Sequence, residues 1–204
     1  LTGSADLLTV PNIADSLAGR AEFITLYPFS QSELNRHESS FLAKLYAQDL
    51  AEIPVMPDME TLIEKITIGG YPEVLARKPN SRQRWFDSYL HAVIQRDVKI
   101  LYDIQKIGHL EKLFQVLAAI SSESLNFSRL AKLTQLDVKS VQKYITALEN
   151  LYLVKLVPAW HPNELKRAVK QPKIHFIDTG LLCALKSVNG ALLWEDRTQL
   201  GSVM

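Results

Sequence analysis

The chain has 204 residues, 47% of them hydrophobic and 22% charged, with a formal net charge of +1. That is the size and balance of an ordinary soluble globular protein of one large or two small domains, each able to bury a core. No apolar run approaches the roughly 20 residues of a membrane span, no secretory signal opens the chain, and the single Cys183 excludes a disulfide framework or a cysteine zinc cluster and points to a reducing cytoplasm.

The chain opens on Leu1-Thr2-Gly3-Ser4, which reads as the tail of a strand entering a loop, and without an initiator Met it is expected to be cut from something longer. A helical pattern follows over 6–17, weakened by Pro11 and stopped at Gly19. Residues 21–26 alternate like a short strand ended by Pro28, and Ser30 or Ser32 is placed to cap a helix starting near Glu33. Residues 38–123 read as nearly all helix, with breaks at Pro54 and Pro57, at Gly69-Gly70-Tyr71-Pro72, at Pro79-Asn80-Ser81 and around Gly108. The glycine-proline phrase at 69–72 is expected to be a turn between helices. Ser81 is the expected cap of a long helix to about Ile104, with Trp85, Tyr89, Ala92, Val93 and Ile100 on its buried face.

Residues 125–133 predict a short helix, 134–136 a turn, and Asp137 the cap of a second helix to about Asn150. In the second helix Val141, Tyr144, Ile145, Leu148 and Tyr152 recur at three and four and form the core face, with Lys139, Gln142, Lys143 and Thr146 opposite. Strand-like runs at 153–160 and 173–178 flank a polar, basic loop. Helix, turn, helix and two-stranded ribbon is the order of a winged helix-turn-helix.

Charge is segregated along the same lines. Residues 1–124 hold 12 Lys+Arg against 16 Asp+Glu, residues 125–175 hold 9 against 3, and residues 176–204 hold 2 against 3. A polyanion is therefore expected to meet residues 125–175. The candidate DNA-contacting side chains are Arg129 and Lys132 on the first helix, Lys139, Ser140, Gln142 and Lys143 on the second, and Lys166, Arg167 and Lys170 in the ribbon loop, with Lys173 where the second strand begins. Such groups anchor phosphates more than they read bases, so binding is expected to be salt-dependent. A winged helix also serves as a protein-interaction module, and a basic face can be merely solvated.

Several phrases together resemble the bacterial and archaeal AAA-type ATPases whose C-terminal region is a domain of unknown function. They are LTGS (1–4), SLAGR (16–20), LYPFSQSE (26–33), GGYPE (69–73), VIQRDV (93–98), LENLYLV (148–154) and NELKRAVKQPKIHFIDTGLL (163–182). The resemblance covers essentially the whole chain. It implies a mainly α fold with a little β: the C-terminal remnant of an AAA+ α/β core over 1–36, a helical lid over 37–107, a winged helix over 108–178, and the start of a further domain over 179–204. It also implies that Thr2 and Ser4 sense the nucleotide γ-phosphate and that Arg20 serves as an arginine finger to a neighbouring subunit. Read from the residues alone, Arg20 is equally well a helix-end cation and Ser4 a turn residue.

The phosphate-binding loop Gly-x-x-x-x-Gly-Lys-Ser/Thr occurs nowhere in the chain. ATP and magnesium are therefore expected in a full-length parent and not in this fragment, which is not expected to hydrolyse ATP. In the family a nuclease-like region follows the winged helix, and Asp178 lies near its beginning. One aspartate makes no metal-dependent nuclease, and Glu195-Asp196 reads as an exposed loop. The five histidines show no ligand spacing, so no metal site is expected. Cys183 is expected to be a buried small hydrophobe. The expected role is a nucleotide-gated switch acting on double-stranded DNA or a protein, with a plain nucleic-acid-binding or protein-interaction module as the alternative. An ATPase sheet without its neighbouring strands leaves 1–5 and 21–26 with open edges, so homo-oligomerisation or local disorder is expected there.

Overall fold

The computed structural model describes residues 22, 24–36, 41–48, 57–98, 107–163 and 170–204. The fold is mainly α with a little β. Residues 24–27 are in no sheet at their described positions, so the strand expected over 21–26 does not form there. A strand needs a partner ladder, and among the described residues the first backbone bond to a distant segment comes just beyond this stretch, where the Phe29 N–H donates to the Gly70 carbonyl at 2.8 Å. Ser30 caps the short helix α1 (Gln31–Leu34). Its hydroxyl accepts from the Glu33 N–H while the Glu33 carboxylate accepts from the Ser30 N–H, a reciprocal capping box. Helix α2 (Phe41–Tyr46) follows.

Asp58 caps α3 (Met59–Ile68), accepting from the Thr61 N–H at 2.9 Å. Gly69, at φ 73°, ends it, and Pro72 opens the single turn α4 (Pro72–Leu75). Helix α5 (Pro79–Ala92) begins at Pro79, two residues before Ser81. The Ser81 hydroxyl instead donates to the Lys78 carbonyl at 2.9 Å. The helix passes into a π-helical stretch, Val93–Val98. Its buried positions are Phe86, Leu90, Val93, Ile94 and Val98, so the seam lies one position beyond Trp85 and Tyr89, which are half-buried, and Ala92 is exposed. The wide bulky rings explain the shift. Trp85 and Tyr89 stack on each other at 5.1 Å and 4°, covering the Tyr71 ring at the flank of the core instead of entering it. Ile100 lies outside the described residues.

Gly108 is the second residue of α6 (Ile107–Ala119), which buries Leu110, Leu113, Phe114, Leu117 and Ala118; residues 99–106, where a break around Gly108 would fall, lie outside the described residues. Then come α7 (Phe127–Thr134), α8 (Val138–Asn150), and strands β1 (Val154–Val157) and β2 (Lys173–Phe176), paired antiparallel from Val154↔Phe176 to Val157↔Lys173. Residues 122–125 lie along the free side of β2: Ser122 and Leu125 N–H groups donate to the Ile174 and Pro172 carbonyls, and Ile174 N–H donates to Glu123. Three helices, a turn between the second and third, and a ribbon completed by the segment between the first and second follow one another in the order of a winged helix.

Helices α9 (Thr179–Leu185), α10 (Gly190–Glu195) and α11 (Arg197–Val203) complete the chain. Glu195-Asp196 is the joint between two helices and not a loop: Asp196 caps α11, accepting from the Thr198 and Gln199 N–H groups. One core runs from Val74 through the winged helix to Leu181 and Ala184. A second joins Ile63 and Ile66 of α3 to Ala118, Leu182, Cys183, Leu193, Leu200 and Val203. Apolar packing thus crosses both boundaries expected at 107/108 and 178/179.

Candidate nucleic-acid interface

The helix-turn-helix is built from local chemistry. The Asn126 side chain accepts from the Arg129 N–H at 2.9 Å and starts α7, and Gln135, in the left-handed region at φ 57°, ends it. Asp137 starts α8. Its carboxylate accepts from the Ser140 N–H at 2.9 Å and the Ser140 hydroxyl at 2.6 Å, and these bonds hold its carboxyl below the usual aspartate range. The inner faces are apolar: Leu130, Ala131 and Thr134 on α7, Val141, Tyr144, Ile145, Ala147 and Leu148 on α8. Thr134 is the polar exception, and its hydroxyl is satisfied by the Leu130 carbonyl at 2.7 Å. The Thr134 carbonyl lies 3.2 Å from His109 Nδ1, which ties α6 to the turn.

That packing turns Lys139, Gln142, Lys143 and Thr146 of α8 outward, with Arg129 and Lys132 exposed on α7. Exposed Lys170 and Lys173 extend the cationic surface onto the wing. Lys155 joins them on β1, its Nζ 3.8 Å from a Glu149 carboxylate oxygen that also accepts the Leu156 N–H. Ser140 is different. Its hydroxyl is engaged by Asp137 and half-buried, so it serves the helix cap and is not presented to a ligand as the other candidates are. Tyr152, expected on the core face, lies beyond the end of α8 at φ 54°, half-buried, with the Tyr27 ring edge-on at 5.9 Å. Two of the exposed apolar side chains, Leu133 and Val138, border the turn. Thr2, Ser4, Arg20, Lys166 and Arg167 lie outside the described residues.

A second constellation was not legible in the sequence. Asp178 is 4% exposed. One carboxylate oxygen accepts the Gly70 N–H at 2.6 Å, the other the Leu181 N–H at 2.7 Å, so one side chain caps α9 and clamps the turn after α3. Burial raises its carboxyl above the ordinary aspartate value, against the pull of the Gly70, Leu181 and Gly180 N–H groups. Glycine is required at each corner. A Cβ on Gly69 would strike the Asp178 carboxylate, one on Gly70 the Phe29 carbonyl, and one on Gly180 the Ile68 carbonyl. These glycines make no phosphate cradle, because the Gly70 N–H is already given to Asp178 and the space above Gly69 is filled by its oxygens. Among the described residues no three His, Cys, Asp or Glu side chains are grouped to hold a metal ion. No described helix is long and apolar enough to cross a membrane. Cys183 is buried, with its thiol pushed up to about 12, mainly by burial.

A family model described as "Domain of unknown function (DUF8612)" matches residues 59–192. That stretch runs from α3 through the winged helix to α10. Uncharacterized proteins of Mycobacterium tuberculosis and Mycobacterium bovis are each 25% identical to the chain over 203 residues, which is 99% of this chain and 41% of theirs. The chain thus spans less than half the length of these relatives. No solved structure matches it.

Proposed function

The chain belongs to the family described as "Domain of unknown function (DUF8612)", and from that premise we propose that it is the nucleic-acid-contacting, winged-helix part of a longer ATP-dependent protein of the AAA type. The observation that carries the reading is the sorting of side chains on one module: α7 and α8 bury every large apolar side chain except Leu133 and Val138 at least partly, and expose Arg129, Lys132, Lys139 and Lys143 on the outside. Outward cations near the start of the second helix of a helix-turn-helix meet the phosphates that flank a major groove, and cations on the wing meet the adjacent backbone. Double-stranded DNA is the proposed partner.

The ATP-dependent part rests on the phrases shared with AAA-type ATPases and on relatives more than twice as long as this chain. In that parent, ATP and magnesium belong to a phosphate-binding loop upstream, and Thr2, Ser4 and Arg20 read the nucleotide state. The described residues of this chain bind neither and supply the module that the switch moves. A cytoplasmic setting agrees with the lone, buried, unpaired cysteine.

A second reading is favoured by exposed Leu133 and Val138 beside the turn, which suit an apolar protein contact. Salt separates the two. Labelled duplex DNA is titrated with the chain at two salt concentrations by fluorescence anisotropy. Neutralising about four phosphates gives a log–log salt slope near −3.6. Reversing Lys139 and Lys143 to Glu should remove about half of that slope and most of the affinity. Salt-insensitive binding, no binding at low salt, or a double variant that matches the parent refutes the nucleic-acid reading.

A further inference from the structure

Beyond Val157↔Lys173, the last pair of the ribbon, the chain leaves β1 as Pro158-Ala159-Trp160-His161-Pro162. Trp160 is 79% exposed. The other two tryptophans are occupied: Trp85 is stacked on Tyr89, and Trp194 carries the Arg197 guanidinium 5.4 Å above its ring. Trp160 meets no ring or cation among the described residues. An indole is among the largest apolar surfaces a residue offers, and leaving one in water at the edge of a packed module contributes nothing to folding. Proline on either side restricts the arm that carries it, so little freedom is lost when the ring is placed on a ligand.

The surroundings identify the ligand. The described part of the wing, 154–163 and 170–176, contains no Asp or Glu, and exposes Lys155, Lys170 and Lys173. Of these three, Glu149 of α8 pairs with Lys155 alone, at 3.8 Å, and a flat ring on an arm beside exposed lysines is the combination that takes up nucleic acid, the cations on phosphates and the ring on a base face. Inside a continuous duplex every base face is covered by its neighbours. A base face is open at a duplex end, at a fork or in a single strand.

Resting on the nucleic-acid reading above, we propose that Trp160 is a base-stacking residue and that this winged helix takes, as its preferred substrate, DNA with an exposed base at a junction between duplex and single strand. The helix-turn-helix holds the duplex arm through Arg129, Lys132, Lys139 and Lys143, and the wing carries the indole to the first uncovered base. Specificity is then for the shape of the DNA, with little dependence on its sequence.

The test compares two labelled DNAs of the same base pairs, one a dumbbell closed at each end by a non-nucleotide linker that carries no unpaired base, the other carrying an open fork. Both are titrated with the chain and with its Trp160→Ala and Trp160→Phe variants at one fixed salt concentration. Stacking on one base should make the fork bind about tenfold tighter than the dumbbell. Trp160→Ala should lower the fork to the dumbbell level and leave the dumbbell unchanged, and Trp160→Phe should keep most of the preference. Equal binding of fork and dumbbell, or a fork preference that survives Trp160→Ala, overturns the stacking proposal while leaving duplex binding in place. A Trp160-dependent dimer seen by sedimentation without DNA also overturns it, by assigning the indole to a second copy. If neither DNA binds, the proposal and the nucleic-acid reading both fall.

Discussion

Replacing Asp178 by Ala removes two acceptors from a buried site, leaving the Gly70 and Leu181 N–H groups, now bonded at 2.6 and 2.7 Å, without partners. A buried donor left unsatisfied costs about 1–3 kcal/mol. Part is offset because the variant no longer buries a carboxylate that burial disfavours. The expected net loss is about 2–4 kcal/mol, and for a chain of this size each kcal/mol lowers Tm by about 2–4 °C. Asp178→Asn keeps one carbonyl oxygen but sets an amide against the second N–H, so it should fall between the parent and the alanine variant. Urea unfolding followed by circular dichroism measures all three. The pH dependence has a definite sign. The folded carboxyl is raised above its unfolded value, so its contribution is fully present below the unfolded value and is lost as pH rises through the folded one. Asn does not titrate, so the stability gap between parent and Asp178→Asn should narrow as pH rises from about 4. A gap that widens would mean that the hydrogen bonds outweigh burial. An alanine variant within about 0.5 kcal/mol of the parent would refute the clamp altogether.

Glycine substitutions should divide sharply. Gly180→Ala drives a methyl into the Ile68 backbone carbonyl and should cost more than about 2 kcal/mol, whereas Gly201→Ala, with open space around it on helix α11, should stabilise by about 0.5–1 kcal/mol. Equal effects in thermal melts would contradict the packing of α9 on the turn. Phe114→Ala empties a fully buried site where the ring meets Phe176 at 5.2 Å, and chemical denaturation should show a loss of about 3–5 kcal/mol. Cys183, buried and with its thiol pushed up to about 12, should resist iodoacetamide at pH 8 in native buffer and react readily in urea; mass spectrometry that finds rapid native labelling would place the thiol at the surface.

Much of the candidate interface was legible because its determinants are local. Asn126 and Asp137 each cap the helix that follows by bonding an N–H three residues on, and the apolar spacing of α8 decides which side faces the core. Once the inner face is set, Lys139, Gln142 and Lys143 have only the outside left. The ribbon followed in the same way from two short β-branched and apolar runs, now paired from Val154 to Val157. What periodicity alone could not decide was the seam of α5. Trp85 and Tyr89 recur at the right spacing for burial, yet Phe86 and Leu90 are the residues that go inside, because the two large rings stack on each other and on Tyr71 at the edge.

Sequence by itself therefore determined the two helices and the turn between them, the Asp137 cap and the outward side of Lys139, Gln142 and Lys143, all of which depend on residues a few positions apart. Only the tertiary structure decided what Asp178 and the glycines do. Its bond to Gly70 spans 108 positions, and no local pattern records such a partner. In the sequence, Asp178 reads as an aspartate before a helix and Gly69-Gly70 as a turn. In the fold they are one clamp, because two backbone N–H groups brought inside the protein need acceptors and a single buried carboxylate supplies both.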